Sequence, residues 1–345
     1  MNRTPLANIF MFVAKMVLPS LLILSCGGSS EDPLKTQDPP IFPPTVFLAD
    51  KDSDEVDELY AAFDDGTNIV KLSNPLVAGG DVVAFLVSPD GVFVAYVADQ
   101  DIDGVFELYA VVVDKTVGDT AVKVSEPMAG SGILSLPSGE YSFGWAQDSS
   151  RVAYIANQIS ANAFELFTAT PDGQENDLVS DLPDPAANPD RNVKDFEWEP
   201  DSTLIAYVAN QDLIDKFELY VSPSDSNIGN RKVSGFPVDG SGVRETPPAG
   251  SGVYLFGWAP DSSRLAYVAD RDFAGIFEFF SSTPDGSTIL KLSGPMGANG
   301  DVDEFAWAPD SSRIAYLANQ INDVGVELYT ALPNVGGSFF QNSAG

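Results

Sequence analysis

The chain has no histidine and one cysteine, Cys26, and it sets only 18 lysines and arginines against 50 aspartates and glutamates. Without histidine there is no Ser-His or Cys-His dyad, and the commonest general base and metal ligand are both absent. A lone cysteine excludes an intramolecular disulfide. The formal net charge of −32 leaves no basic surface to neutralise phosphate, so nucleic acid is not an expected partner. An anionic membrane surface would repel the body for the same reason. Two uses of the acidic excess stay open: keeping the protein dispersed, or meeting a cation or a basic partner.

Hydrophobic residues make up 44% of the 345, enough for a substantial core, and 29 Gly and 25 Pro suit many short strands joined by turns. The N-terminus reads as an address. Arg3 and Lys15 precede an apolar run, Met16 to Leu24, that is too short to span a bilayer as a helix. Ser25 and Cys26 follow, and then the polar, Pro-rich stretch 27–40. This arrangement resembles the bacterial lipoprotein signal, which implies a signal peptide over 1–25, lipidation of Cys26 and a flexible tether over 26–40. Gly27 after the cysteine implies the outer membrane by resemblance to the enterobacterial sorting rule.

The body, 41–345, repeats. Glu-Leu-Tyr or a close variant recurs at Glu58, Glu107, Glu165, Glu218, Glu278 and Glu327, at intervals of about fifty residues. Ahead of five copies stands an aromatic phrase: Phe85-x-Val87, Phe143-x-Trp145, Phe196-x-Trp198, Phe256-x-Trp258 and Phe305-x-Trp307. Aromatics two apart share one strand face. The Pro-Asp-Ser-Ser that often follows is turn chemistry, and the Val/Ile/Ala/Tyr run after it predicts the next strand. A fourth strand with a recurrent lysine (Lys71, Lys123, Lys232, Lys291) fits an outer edge where charge discourages edge pairing.

Four antiparallel strands per unit, six units long, predict an all-β, six-bladed β-propeller. The phrase around WAPDSSRIAYLAN, with its later ELYTA and KLS, resembles the WD-like repeat of TolB and of the propeller in prolyl-oligopeptidase relatives. The resemblance implies the fold, and folds host many tasks. No stretch resembles TolB's α/β domain or the peptidases' hydrolase domain. Only five clear first strands are present, so Ile41-Phe42 is the expected shortened first strand of blade one, and Ser338 to Ser343 the expected last strand of blade six.

Trp145, Trp198, Trp258 and Trp307 recur in register and are expected in the core between blades. The Glu-Leu-Tyr glutamates are expected to form hydrogen bonds within strands and turns. The turns between second and third strands are rich in Asp: Asp50, Asp52 and Asp54 in blade one; Asp99, Asp101, Asp103 and Glu107 in blade two; Asp212 and Asp215, Asp270 and Asp272, and Asp323 further on. Asp99-x-Asp101-x-Asp103-Gly104 matches the start of a calcium loop, although Ala110 stands where an EF-hand needs Glu. Calcium is the only cofactor candidate, and a solvated Asp-rich hairpin is the alternative. These turns should share one face of the disc with the long links 128–140, 181–193 and 235–252. Arg191, Arg231 and Arg244 are placed to relieve its charge.

The expected function is a membrane-tethered, non-catalytic propeller with a monomeric body that binds an envelope protein or acts as a scaffold. The alternative is a carboxylate- or calcium-assisted hydrolase, of lactonase or glycosidase type, with its site at the channel mouth.

Overall fold

A computed structural model describes residues 44–342, apart from 64–67, 115–119, 137–138, 184–189, 215, 236–241, 245–254, 298–299 and 321–324. Every regular element in it is a strand, and the strands form six antiparallel sheets, or blades. Blade one has three (Thr45–Ala49, Glu58–Phe63, Asn68–Lys71) and the others four each, in chain order across the sheet. Blade two comprises Val82–Val87, Phe93–Ala98, Glu107–Val112 and Val122–Lys123; blade three Phe143–Trp145, Val152–Ser160, Ala163–Ala169 and Asn176–Leu178. Blade four comprises Val193–Trp198, Leu204–Ala209, Glu218–Pro223 and Arg231–Lys232; blade five Phe256–Trp258, Leu265–Ala269, Glu278–Ser282 and Ile289–Lys291. Blade six comprises Val302–Trp307, Ile314–Ala318, Glu327–Ala331 and Phe339–Gln341, its last strand lying within the expected 338–343. Ile41-Phe42, the expected first strand of blade one, lies outside the described residues, as does Cys26.

The register repeats as the phrases do. Tyr96, Tyr154, Tyr207, Tyr267 and Tyr316 each lie opposite the Phe of the first strand on one side and the third aromatic on the other. Opposed rings stack, for example Tyr207 on Tyr220 with centroids 5.5 Å apart. Successive side chains point to opposite faces, so each middle strand packs on the blade before it with one set and on the blade after it with the other. Five buried apolar clusters result, one at each junction from one–two to five–six.

Two polar latches repeat between blades. Trp145, Trp198, Trp258 and Trp307 donate Nε1–H to the first-strand carbonyls of Leu86, Gly144, Glu197 and Gly257 in the preceding blade, at 2.9–3.2 Å. First strands of neighbouring blades therefore lie side by side and line the hub. The second latch uses the turn after the first strand. Ser149, Ser202 and Ser311 take φ of 63°, 63° and 59°, a conformation unfavourable for a residue with a Cβ. Their hydroxyls accept the backbone N–H of Asp90, Asp148 and Asp261 in the preceding blade, which recovers part of that cost.

Two of the long links meet the ends of the second-to-third turns through described residues. Gly132 bridges to Phe106 and Gly242 to Phe217, in blades two and four. A Cβ at either glycine would sit 1.8 Å from the carbonyl oxygen of that phenylalanine, so only glycine fits.

Candidate functional site

The Glu-Leu-Tyr glutamate ends its strand beneath the second-to-third turn and is buried in blades one to five. A buried carboxylate needs donors or a counter-charge, and the repeat supplies both. The tyrosine two residues on lies on the same strand face, and its hydroxyl donates to Oε2: Tyr60 to Glu58 at 2.6 Å, Tyr109 to Glu107 at 3.0 Å, Tyr220 to Glu218 at 3.0 Å and Tyr329 to Glu327 at 2.6 Å. The fourth-strand lysine supplies the charge. Lys71 pairs with Glu58, Lys123 with Glu107 at 2.9 Å, Lys232 with Glu218 at 2.9 Å and Lys291 with Glu278. In blade six Gln341 donates to Glu327 instead. These lysines thus turn inward onto a buried carboxylate, a stronger demand than the edge protection expected of them.

The same ammoniums collect the turn aspartates. Lys71 lies 3.6 Å from Asp52, Lys123 3.0 Å from Asp101, Lys232 2.6 Å from Asp212 and Lys291 3.4 Å from Asp272. In the calcium-like stretch of blade two, Asp99 is buried and accepts the backbone N–H of Asp81 at 2.7 Å and of Gly104 at 2.9 Å. Asp101 and Glu107 hold Lys123 between them. Asp103 is exposed, as are Asp50, Asp52 and Asp54 in blade one. Among the described residues no three acidic side chains gather as a cation cluster. Asp215 and Asp323 lie outside the described residues. Arg244 contacts Asp301, Asp303 and the Phe277 ring, Arg191 donates to the Gln211 carbonyl, and Arg231 is exposed.

Blades three and five break the pattern. Their aromatic is Phe167 or Phe280, and the Oε2 of Glu165 and of Glu278 has no hydrogen-bond partner. Glu278 keeps Lys291; burial raises its pKa and the lysine opposes the rise. Glu165 has no such lysine. Leu178 stands there, opposite Phe167. Burial alone pushes Glu165 up to about 7.

A second departure lies at the hub. The residue between the aromatics of the first strand is Leu86, Gly144, Gly257 or Ala306 in four blades, and Glu197 in blade four. Burial pushes Glu197 up to about 7; a hydrogen bond from the Trp258 backbone opposes the rise and Asp195, on the same strand face, adds to it. Glu197 was readable as a break in the repeat; Asp195 is not one, since Glu304 holds the same position in blade six.

The turn face carries a further feature. Ile102, Leu213 and Phe273, at one turn position in blades two, four and five, are 53–63% exposed, and Ile159, one position earlier in the second strand of blade three, is 52% exposed. Ile214 adjoins Leu213 and is 49% exposed. Beside Phe273 opens a pocket of about 360 Å³, whose lining includes Ile276, Glu278, Lys291, Met296 and Phe339. The acidic face expected from sequence is therefore also an apolar one, with part of its carboxylate charge already neutralised by lysine.

No protein-family model matches the chain, and no curated protein matches it in sequence. Solved structures do. The chain is similar to Porphyromonas gingivalis dipeptidyl peptidase 4 at 14% identity and a TM-score of 0.55, over 84% of this chain and 42% of that one. It is similar to a structure described as the eukaryotic initiation factor at 12% identity and a TM-score of 0.52, over 87% of this chain and 63% of that one. TolB from Acinetobacter baumannii matches more loosely, at 12% identity and a TM-score of 0.36, over 82% of this chain and 61% of that one. The chain thus spans well under two thirds of the peptidase and somewhat under two thirds of the other two. At these identities the likeness is one of fold: the protein is a six-bladed β-propeller.

Proposed function

We propose that this protein is a non-catalytic binding propeller of the bacterial cell envelope, tethered through a lipidated Cys26, whose turn face docks a partner protein. The observation that carries the reading is the set of exposed Ile102, Leu213 and Phe273 at equivalent turns, with exposed Ile159 one position earlier in blade three. Exposed apolar side chains that recur at one repeat position make a surface that soluble proteins seldom display without use. The partner surface that fits carries apolar anchors flanked by lysine or arginine, since Asp54 and Asp103 are exposed in turns of the same kind. The glutamates beneath it are engaged by the chain's own lysines and tyrosines in most blades, which argues against acid–base chemistry there.

The test is affinity capture from envelope extract with the parent and with Ile102→Asp/Leu213→Asp/Phe273→Asp. A partner held by the parent and by an opposite-face control, Asp148→Asn/Asp310→Asn, should be lost from the triple variant. A partner that all three retain would overturn the face assignment. Cys26→Ala should move the protein out of the membrane fraction. The hydrolase reading rests on one observation, the Asp195–Glu197 pair at the hub. It requires a glycoside- or lactone-hydrolysing activity that Glu197→Gln abolishes.

A further inference from the structure

Blade five leaves a carboxylate oxygen unanswered beside an open pocket. In blades one, two, four and six a tyrosine hydroxyl donates to Oε2 of the strand-end glutamate. Blade five carries Phe280 instead, and Oε2 of the buried Glu278 lacks the donor that its equivalents have. Lys291 holds Oε1 and lies 3.4 Å from Asp272 as well. One ammonium therefore serves two carboxylates, and among these three groups a negative charge is left over. A buried carboxylate short of a donor is costly, and a cationic donor answers it better than a neutral one.

Blade three shares the missing hydroxyl, but blade five adds a cavity. The pocket of about 360 Å³ is bounded by both Glu278 and Lys291, and its apolar walls include Phe273, Ile276, Met296 and Phe339. Part of that wall is fixed by its own packing. Gly294, in the link to blade six, donates its N–H to Gln320 at 2.9 Å, and a Cβ there would sit 2.6 Å from the Phe339 ring. Phe339 in turn meets the Tyr329 ring edge-on, with centroids 6.4 Å apart. An apolar cavity of about 150 Å³ admits benzene, so this pocket has room for a ring and a short chain.

We propose that the pocket between blades five and six binds an arylalkylamine, with its ring against Phe273, Met296 and Phe339 and its ammonium on the Glu278 carboxylate. The ammonium takes the role that a tyrosine hydroxyl plays in four other blades, and it supplies the charge that Lys291 cannot give to two carboxylates at once. Burial of the ring provides affinity, and the carboxylate selects for a cation. The pocket opens beside Phe273 of the docking surface but needs no partner protein, so either reading can fail alone.

The probe is 2-phenylethylamine, titrated calorimetrically into the full-length protein, with 2-phenylethanol and phenylacetate as controls of similar shape. The amine should bind saturably and raise the melting temperature. The alcohol should bind at least about tenfold more weakly, and the acid should not bind. Phe280→Tyr gives Glu278 the phenol found in blade four; it should melt no lower than the parent and weaken amine binding about tenfold. Met296→Lys, at a partly buried wall position, sets a like charge beside the amine and should also weaken binding, with the fold intact by circular dichroism. Absence of saturable amine binding, equal binding of amine, alcohol and acid, or amine binding unaffected by both variants would each overturn the proposal.

Discussion

In blade four, Glu218 holds Lys232 and the Tyr220 hydroxyl; in blade three, the glutamate at the same register, Glu165, has Phe167 in place of the tyrosine and Leu178 in place of the lysine. The two blades share one apolar core, so their packing is common and their treatment of a buried carboxylate is not. Burial pushes both glutamates up, but only Glu218 has a cation to oppose the rise. The lesson is that the turn-face carboxylates serve the fold where the repeat is intact, and that a broken repeat leaves a group free to titrate.

The largest expected effect comes from making blade four resemble blade three. Lys232→Met strands Glu218 and removes the partner of Asp212, and should cost about 3 kcal/mol in denaturant unfolding, since removing one partner of a buried pair leaves an uncompensated charge. A cost near zero would mean that the pair carries no stability. A smaller effect is expected from Glu165→Gln. The folded-state pKa of Glu165 is raised to about 7. The unfolded chain therefore loses that proton first, and stability falls as the pH climbs from about 4.5 to about 7. The variant should match the parent below that window and exceed it above. A gap independent of pH would contradict the assignment. Smallest is Phe167→Tyr, which restores the hydroxyl to Glu165 Oε2 and should add about 1 kcal/mol. That gain should shrink in a Glu165→Gln background, where an uncharged amide oxygen replaces the carboxylate as acceptor.

Much of this was legible in the sequence. The aromatic phrase, the Glu-Leu-Tyr phrase and the turn residues located most strands within a few residues, because period-two alternation and turn chemistry are local. Trp145, Trp198 and Trp258 are buried as expected, but their Nε1 latches were not readable, since the acceptor is a backbone carbonyl some fifty residues away in the preceding blade. The partners of Lys123 and Lys232 were hidden for a related reason. An aspartate-rich turn looks the same whether a metal or the chain's own ammonium gathers it, and the lysine arrives from a strand beyond the next turn. The exposed Ile102, Leu213 and Phe273 sit inside acidic turns, where charge pattern masked them. Glu197 was visible only by asking what varies between fixed aromatics.

The central claim is that the Asp-rich turns are neutralised from within the chain. The most direct test is the melting temperature of the native protein in millimolar calcium and in chelator. With Lys123 between Asp101 and Glu107, the two curves should coincide. A clear rise with calcium, which any ligand favouring the native state must cause, would show that a metal holds these carboxylates and would contradict the account.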